Sequence, residues 1–135
     1  MGLFSGFGKK EGKFISESGF EKSLKKQLAM SPQTVAALRE YDVSATDLLK
    51  LQFFFVTNAE SKAAALASNL AENGYSVEHG ISESYKNLYL ITGWSTPIKM
   101  DESDVVAWTR NMCEMAYRHD CEFDGWGTSP DQEQT

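Results

Sequence analysis

The chain has 135 residues, 41% of them hydrophobic, and a formal net charge of −6. This size favours one domain with its own core and is too small for two. The charge is uneven, because residues 1–43 carry seven Lys and Arg against five Asp and Glu, whereas residues 44–135 carry six against fourteen. An acidic folded part argues against direct nucleic-acid binding and favours protein partners, basic ones in particular.

The chain begins with a glycine-rich stretch. Residues 1–16 interleave four glycines with large apolar residues and lysines, which predicts a flexible arm. Two short helices are predicted next, one near 21–29 and one that begins with Ser31 as N-cap and Pro32 at the first helical position and ends near Tyr41.

The first strand is predicted at 48–56, where large apolar residues alternate along the chain. One face is expected to carry Leu49, Leu51, Phe53 and Phe55, and the other Lys50, Gln52, Phe54 and Val56. A helix follows at 58–73, with Asn58 as N-cap and Gly74 as terminator. Its inward stripe is expected to consist of Ala63, Leu66, Ala67 and Leu70.

Residues 75–81 and 88–94 predict two strands that pair as a hairpin across the polar turn at 82–87. Asp101 then predicts the N-cap of a second helix to about His119. Its buried stripe is expected to consist of Val105, Trp108, Met112 and Met115. A last strand is predicted at 121–126.

The order strand-helix-strand-strand-helix-strand predicts an α+β protein with a ferredoxin-like βαββαβ antiparallel sheet and two helices on one face, preceded by short N-terminal helices. We therefore divide the chain into a flexible arm at 1–16, a short helical segment at 17–43, the ferredoxin-like domain at 44–128 and a disordered tail at 129–135.

The sequence offers little for catalysis. Cys113 and Cys121 match no zinc-binding spacing, and His79 and His119 do not complete a ligand set, so no metal is expected. A nucleophile and base pair of Cys121 and His119 has no orienting group. We expect buried or part-buried thiols, no cofactor and no catalytic residue. Because no apolar leader or run of about 18 apolar residues is present, no membrane span is expected and the predicted location is the cytoplasm.

The sheet face without helices is the predicted protein-contact surface. In a ferredoxin-like sheet the first and third strands are central, so Phe54 and either Tyr89 or Ile91 are expected side by side on that face. Glu122 and Asp124 on the last strand would place negative charge beside them. An apolar face with acidic neighbours suits a protein, or a second copy of the chain, better than RNA.

Residues 123–128, Phe-Asp-Gly-Trp-Gly-Thr, form the most specific pattern. Phe123 and Trp126 are expected to anchor the last strand, while Gly125 and Gly127 allow backbone angles that other residues avoid. This ending resembles that of the regulator of ribonuclease activity B family, and the resemblance covers about 35–128. Supporting features are the aromatic strand at 53–55, the helix end at 73–77 and the step from Pro97 to Asp101.

The resemblance implies a non-enzymatic protein of the cytoplasm that binds ribonuclease E and restrains RNA cleavage by a protein–protein contact. Two alternatives stay open. One is a small enzyme or ligand-binding domain that uses a cleft near Trp94, Cys121 and Trp126. The other is a homodimer joined through open sheet faces.

Overall fold

The computed structural model of the protein describes residues 12–132. Residues 1–11, which hold most of the predicted arm, and the last three residues of the predicted tail lie outside the described part. Within 12–132 the chain forms three helices and six strands: α1 (Glu17–Arg39), β1 (Leu48–Leu49), β2 (Gln52–Thr57), α2 (Glu60–Glu72), β3 (Ser76–Ile81), β4 (Tyr89–Trp94), β5 (Ile98–Lys99), α3 (Glu102–Arg118) and β6 (Glu122–Gly127). The fold is α+β with antiparallel sheets.

One continuous helix replaces the two short helices predicted near the N-terminus. The α1 helix begins after Ser16, whose hydroxyl accepts from the backbone N–H of Gly19, and it passes through Pro32 without ending. Its buried stripe consists of Ser23, Gln27, Ser31, Val35 and Leu38. Three of these five side chains are polar, so the helical spacing is invisible to a hydrophobic pattern. The prediction of Ser31 as an N-cap is wrong, because its side chain is buried in mid-helix.

The predicted strand at 48–56 is divided between two sheets. Strand β1 pairs with β5, while β2 enters the larger sheet. At the junction, the backbone N–H of Leu51 donates to Ser95 Oγ and the Leu51 carbonyl accepts from the Ser95 N–H. The predicted alternation is confirmed, because Leu49, Leu51, Phe53 and Phe55 are all fully buried.

The larger sheet has the order β3-β4-β2-β6, with every neighbouring pair antiparallel. The β3–β4 hairpin is confirmed. Its strands approach closely at Gly93, where an added Cβ atom would collide with the carbonyl oxygen of Ser76. The core lies between β2, β4 and β6 on one side and α2 and α3 on the other; its largest fully buried side chains include Phe53, Phe55, Phe123, Leu66 and Met112.

Both helices of the core begin close to the predicted positions. The N-cap of α2 is Ala59, without a side-chain hydrogen bond, so the prediction of Asn58 as cap is wrong. Asn58 instead donates to the carbonyl of Gly12, and its own oxygen accepts from Lys62. The predicted inward stripe of α2 is buried as expected. Asp101 caps α3 by accepting from the N–H of Ser103, as predicted.

The two ends of the described chain are hydrogen-bonded to the domain. The N–H of Ile15 donates to the Asp120 carboxylate, and the Gln132 side chain bonds both the N–H and the carbonyl of Lys50. Every helix in the described part is too short or too polar to span a lipid bilayer.

Candidate protein-contact site

The register of β2 with β4 decides which side chains share a face of the sheet. Phe53 lies opposite Gly93 and Phe55 opposite Ile91, on the side of the core. Phe54 lies opposite Thr92 and opposite Gly125, on the other side. We call this second side the outer face.

Tyr89 is not on the outer face. It lies opposite Thr57, on the same side as Ile91, and is packed against the core. The expectation that Phe54 would stand beside Tyr89 or Ile91 is therefore wrong, and Thr92 stands beside it instead. The physical reason is the period of two along a strand: a choice of register that differs by one residue exchanges the faces.

The outer face carries apolar side chains at its centre. Phe54, Leu90, Thr92 and Trp94 are partly exposed there, and Val56 is buried. The two edge strands, β3 and β6, add further positions to the outer face. These are Ser76, Glu78 and Gly80 on β3 and Glu122, Gly125 and Gly127 on β6.

A groove of about 210 Å³ lies where α1 runs beside the outer face. Phe54 lines it from the sheet, together with Asp124, Gly125 and Trp126 of β6. The helix contributes Gln27, Met30 and Thr34. Met30 is 45% exposed, which is a large fraction for an apolar side chain beside an aromatic one. We call these seven residues the α1–β6 groove.

The shape of β6 explains why Asp124 stands out from the sheet. Gly125 lies opposite Phe54 and Phe123 lies opposite Phe55, so Asp124 is an extra residue without a partner, as in a β-bulge. Gly125 has φ +128°, a conformation that strains any other residue. The glycine in the sequence pattern thus permits the bulge that exposes the Asp124 carboxylate.

Negative charge collects at one end of the groove. The hydroxyl of Tyr85, in the hairpin turn, donates to Asp124 over 3.3 Å, and the Asp124 charge raises the pKa of Tyr85. Glu122 is partly buried, and burial together with Asp124 raises the pKa of its carboxyl, although Ser23 and Lys26 oppose the shift. The two carboxylates therefore reinforce one another's negative field.

Phe123 and Trp126 anchor β6 from the core side. Phe123 is 1% exposed, and its ring lies 5.1 Å from Phe55 and 6.1 Å from Trp108. The Trp126 ring packs edge-on against Trp108. Gly127, at the end of β6, lies opposite Gln52. These residues hold the wall of the groove in place.

A buried chain of hydroxyls connects β6 to both flanking helices. Trp126 Nε1 donates to Ser31 Oγ over 2.9 Å, and Ser31 Oγ lies 2.7 Å from Thr109 Oγ1. Thr109 in turn donates to the carbonyl of Val105. This order of donors requires the Ser31 hydroxyl to donate to Thr109. Sequence reasoning missed Ser31 and Thr109, since isolated hydroxyl residues carry no periodic signal.

The structure does not bring together the three residues of the predicted alternative cleft. Trp94 belongs to the outer face, whereas Trp126 lies on the core side and Cys121 is fully buried. Burial raises the pKa of Cys121 to about 11 and that of Cys113 to about 12, so both are neutral thiols at neutral pH. Between residues 12 and 132, no group of three or more His, Cys, Asp and Glu side chains is placed to hold a metal ion.

The profile of the family described as regulator of ribonuclease activity B matches residues 29–128. The chain belongs to that family. The match begins within α1 and ends just after β6, so it contains every residue of the α1–β6 groove except Gln27. A search of curated proteins gives no match.

Membership makes the chain part of a family of regulators of ribonuclease activity, and it points to a protein partner in the ribonuclease machinery. The structure brings four residues of the sequence prediction together in one groove: Phe54, Asp124, Gly125 and Trp126. Glu122, opposite Val56, shares the outer face with Phe54, and Tyr89 lies apart.

Proposed function

We propose that this chain is a non-catalytic regulator of the cytoplasm that binds ribonuclease E and restrains RNA cleavage, with the α1–β6 groove as its contact site. The proposal rests on membership in the ribonuclease regulator family, whose matched segment contains most of this groove. The observation that carries the site is the placement of an exposed carboxylate, Asp124, beside the partly exposed Phe54.

The groove suits the side chains of a protein better than a whole metabolite. Its volume of about 210 Å³ is below the roughly 300–1,000 Å³ of common small-molecule pockets. Apolar contact at Phe54 and Met30 would hold an aliphatic or aromatic anchor from the partner. Asp124 and Glu122 would attract a Lys or Arg of the partner beside that anchor.

RNA is a poorer occupant of this groove. Its lining contains no Lys or Arg, and its acidic neighbours would repel a phosphate backbone. Residues 44–135 as a whole carry six Lys and Arg against fourteen Asp and Glu. We therefore propose that the enzyme, and not its RNA substrate, is what this protein binds.

The test measures binding to ribonuclease E fragments and to single-stranded RNA separately, at low and moderate salt. We expect binding to the enzyme alone, and we expect it to weaken with salt because complementary charges are screened over about 10 Å at 0.1 M ionic strength. Phe54→Ala should weaken binding at least about tenfold, the ratio expected of a residue at the centre of an interface.

Tyr41→Ala is the matched control, because Tyr41 is an aromatic residue that is 68% exposed and does not line the groove. Micromolar binding to RNA with none to the enzyme would refute the proposal. Equal effects of both substitutions would place the contact elsewhere. Sedimentation of the chain alone tests the homodimer, which stays a prediction.

We also infer that the larger sheet and the helices α2 and α3 form a ferredoxin-like core. The inference is supported by the chain order β2-α2-β3-β4-α3-β6 and by the strand order β3-β4-β2-β6. The small β1–β5 sheet and the long α1 are then additions to that core.

A further inference from the structure

A second cavity lies between α2 and α3, away from the α1–β6 groove. Its volume is about 310 Å³. Polar side chains dominate its lining: Asn69 comes from α2, Asn73 and Tyr75 follow that helix, and Asn111 and Arg118 come from α3. We call it the interhelical cleft. None of its residues belongs to the groove assigned to the protein partner.

The charge of the interhelical cleft is opposite to that of the chain. Its lining includes the cationic Arg118 and no Asp or Glu, in a protein with a formal net charge of −6. The guanidinium of Arg118 makes no hydrogen bond or ion pair with any side chain or backbone group among residues 12–132. Its five N–H groups are therefore available to a ligand.

Two neutral donors belong to the same lining. The Tyr75 hydroxyl accepts from Trp108 Nε1 over 3.0 Å, which fixes its oxygen and leaves its own hydrogen free to donate. Trp108 is only 7% exposed, so this orientation is held from inside the protein. The Asn111 amide has no hydrogen-bond partner in the described part of the chain.

The remaining amides are fixed by local hydrogen bonds. Asn73 Nδ2 donates to the backbone carbonyl of Asn69, and Asn69 Nδ2 lies 3.1 Å from His119 Nε2. Burial and the nearby Arg118 lower the pKa of His119, so the imidazole is neutral at neutral pH and its Nε2 can accept from Asn69. The cleft thus keeps one dominant charge, that of Arg118.

We propose that the interhelical cleft is a binding site for a small oxyanion, the carboxylate or phosphate group of a small molecule. A planar guanidinium binds such groups through two parallel hydrogen bonds, and the phenol and amide supply donors to the remaining oxygens. The site is separate from the contact surface proposed for ribonuclease E and does not depend on it.

The test titrates the full chain with inorganic phosphate and, separately, with citrate at constant ionic strength, while NMR follows the indole N–H of Trp108. We expect a saturable shift with millimolar ligand. The tighter of the two probes identifies phosphate or carboxylate as the preferred group. Arg118→Gln should weaken binding at least about tenfold, and Asn111→Ala should weaken it about threefold.

Arg110→Gln is the matched control, because Arg110 is exposed on the same helix, two turns earlier, and does not line the cleft. The affinity of the Arg110→Gln variant for each probe should stay within about twofold of that of the unsubstituted protein. Equal weakening by Arg110→Gln and Arg118→Gln would show general charge attraction and overturn the proposal. The absence of any saturable shift with either probe would do the same.

Discussion

The two edge strands of the larger sheet, β6 and β3, differ in what packs beside them. α1 runs beside β6, with Ser23, Gln27 and Ser31 buried in the contact. β3 pairs with β4, and five of its six residues are exposed, including Ile81 at 78%. The helix α1 thus covers part of β6.

This difference explains where the candidate contact site lies. The groove around Phe54 forms where α1 lies beside β6. In the described structure, no helix forms a groove of this kind at β3. The outer-face positions of β3 include one charged residue, Glu78, and Gly80. Charge and glycine both disfavour pairing with another strand.

The largest expected contrast between these strands is in side-chain burial. Phe123→Ala on β6 should lower the free energy of unfolding by about 3–5 kcal/mol, because the ring is 1% exposed and its removal leaves a cavity. Ile81→Ala on β3 should change it by less than about 0.5 kcal/mol. Urea unfolding of both variants measures the difference. Similar losses would show that β3 is covered in solution.

A second contrast tests how closely β3 is held to β4. Gly93→Ala should cost about 1–3 kcal/mol, because its Cβ would collide with the carbonyl of Ser76 and β3 would have to move. Gly80→Ala is the control in the same hairpin, since its Cβ meets nothing within 4 Å. Thermal unfolding compares the two. A Gly93→Ala protein as stable as the Gly80→Ala protein would contradict the close approach.

The sequence predicted the central strands and the core helices well, because their burial follows simple periods. Phe53 and Phe55 alternate with the half-buried Gln52 and Phe54, and Leu66 and Leu70 recur at helical spacing. It failed where tertiary contacts override the pattern. The buried side of α1 begins with the polar residues Ser23 and Gln27, so the hydrophobic pattern did not reveal one long helix.

The candidate site was predicted only in part, for a related reason. Phe54, Asp124 and Trp126 were correctly placed on neighbouring strands, but the face of Tyr89 depends on register, which a single sequence does not determine. The wall supplied by Met30 and Thr34 was missed, because nothing in α1 indicates which strand it packs against. The two-residue strands β1 and β5 are too short to leave a pattern.

The hydroxyl chain beneath the groove gives a smaller effect that is specific to β6. Ser31→Ala should lower the free energy of unfolding by about 1–3 kcal/mol, because the Trp126 indole N–H would lose its acceptor inside the protein. Thr34→Ala, one turn later on α1, removes a hydroxyl that bonds only the carbonyl of Met30 and should cost less than about 0.5 kcal/mol. Equal costs would assign the effect to the helix and not to the contact with β6.

The last contrast concerns how β6 begins. Asp120, just before it, accepts from the N–H groups of Phe14 and Ile15 and from Lys62 Nζ at 2.7 Å, so it fastens the N-terminal segment to the start of the strand. Partial burial opposes its ionisation, but the hydrogen bonds from Lys62, Ile15 and Phe14 outweigh burial and lower the pKa of Asp120.

Asp120→Asn should therefore lower stability at neutral pH by about 1–2 kcal/mol. This is toward the low end of the roughly 1.5–3 kcal/mol that hydrogen bonds to a charged group contribute, because the Asp120 side chain is partly exposed. Because the folded pKa is lowered, this stabilisation is present above the unfolded pKa of about 3.9 and is lost as pH falls through the folded value. The gap between the original protein and the variant should close in acid. Asn tolerates the positive φ of 56° at this position, so the backbone is not the cause.

Glu122, two residues later, sharpens the test because burial and Asp124 raise the pKa of its carboxyl. A raised carboxyl pKa favours the folded state below the unfolded pKa of about 4.3, and this advantage is lost as pH rises through the folded value. Glu122→Gln should accordingly be the more stable protein at neutral pH, and its lead should vanish in acid. Unfolding free energies of the three proteins across the acidic range measure both trends. If the two variants change in the same direction with pH, the two carboxyl groups flanking Cys121 do not have the opposite environments that the structure gives them.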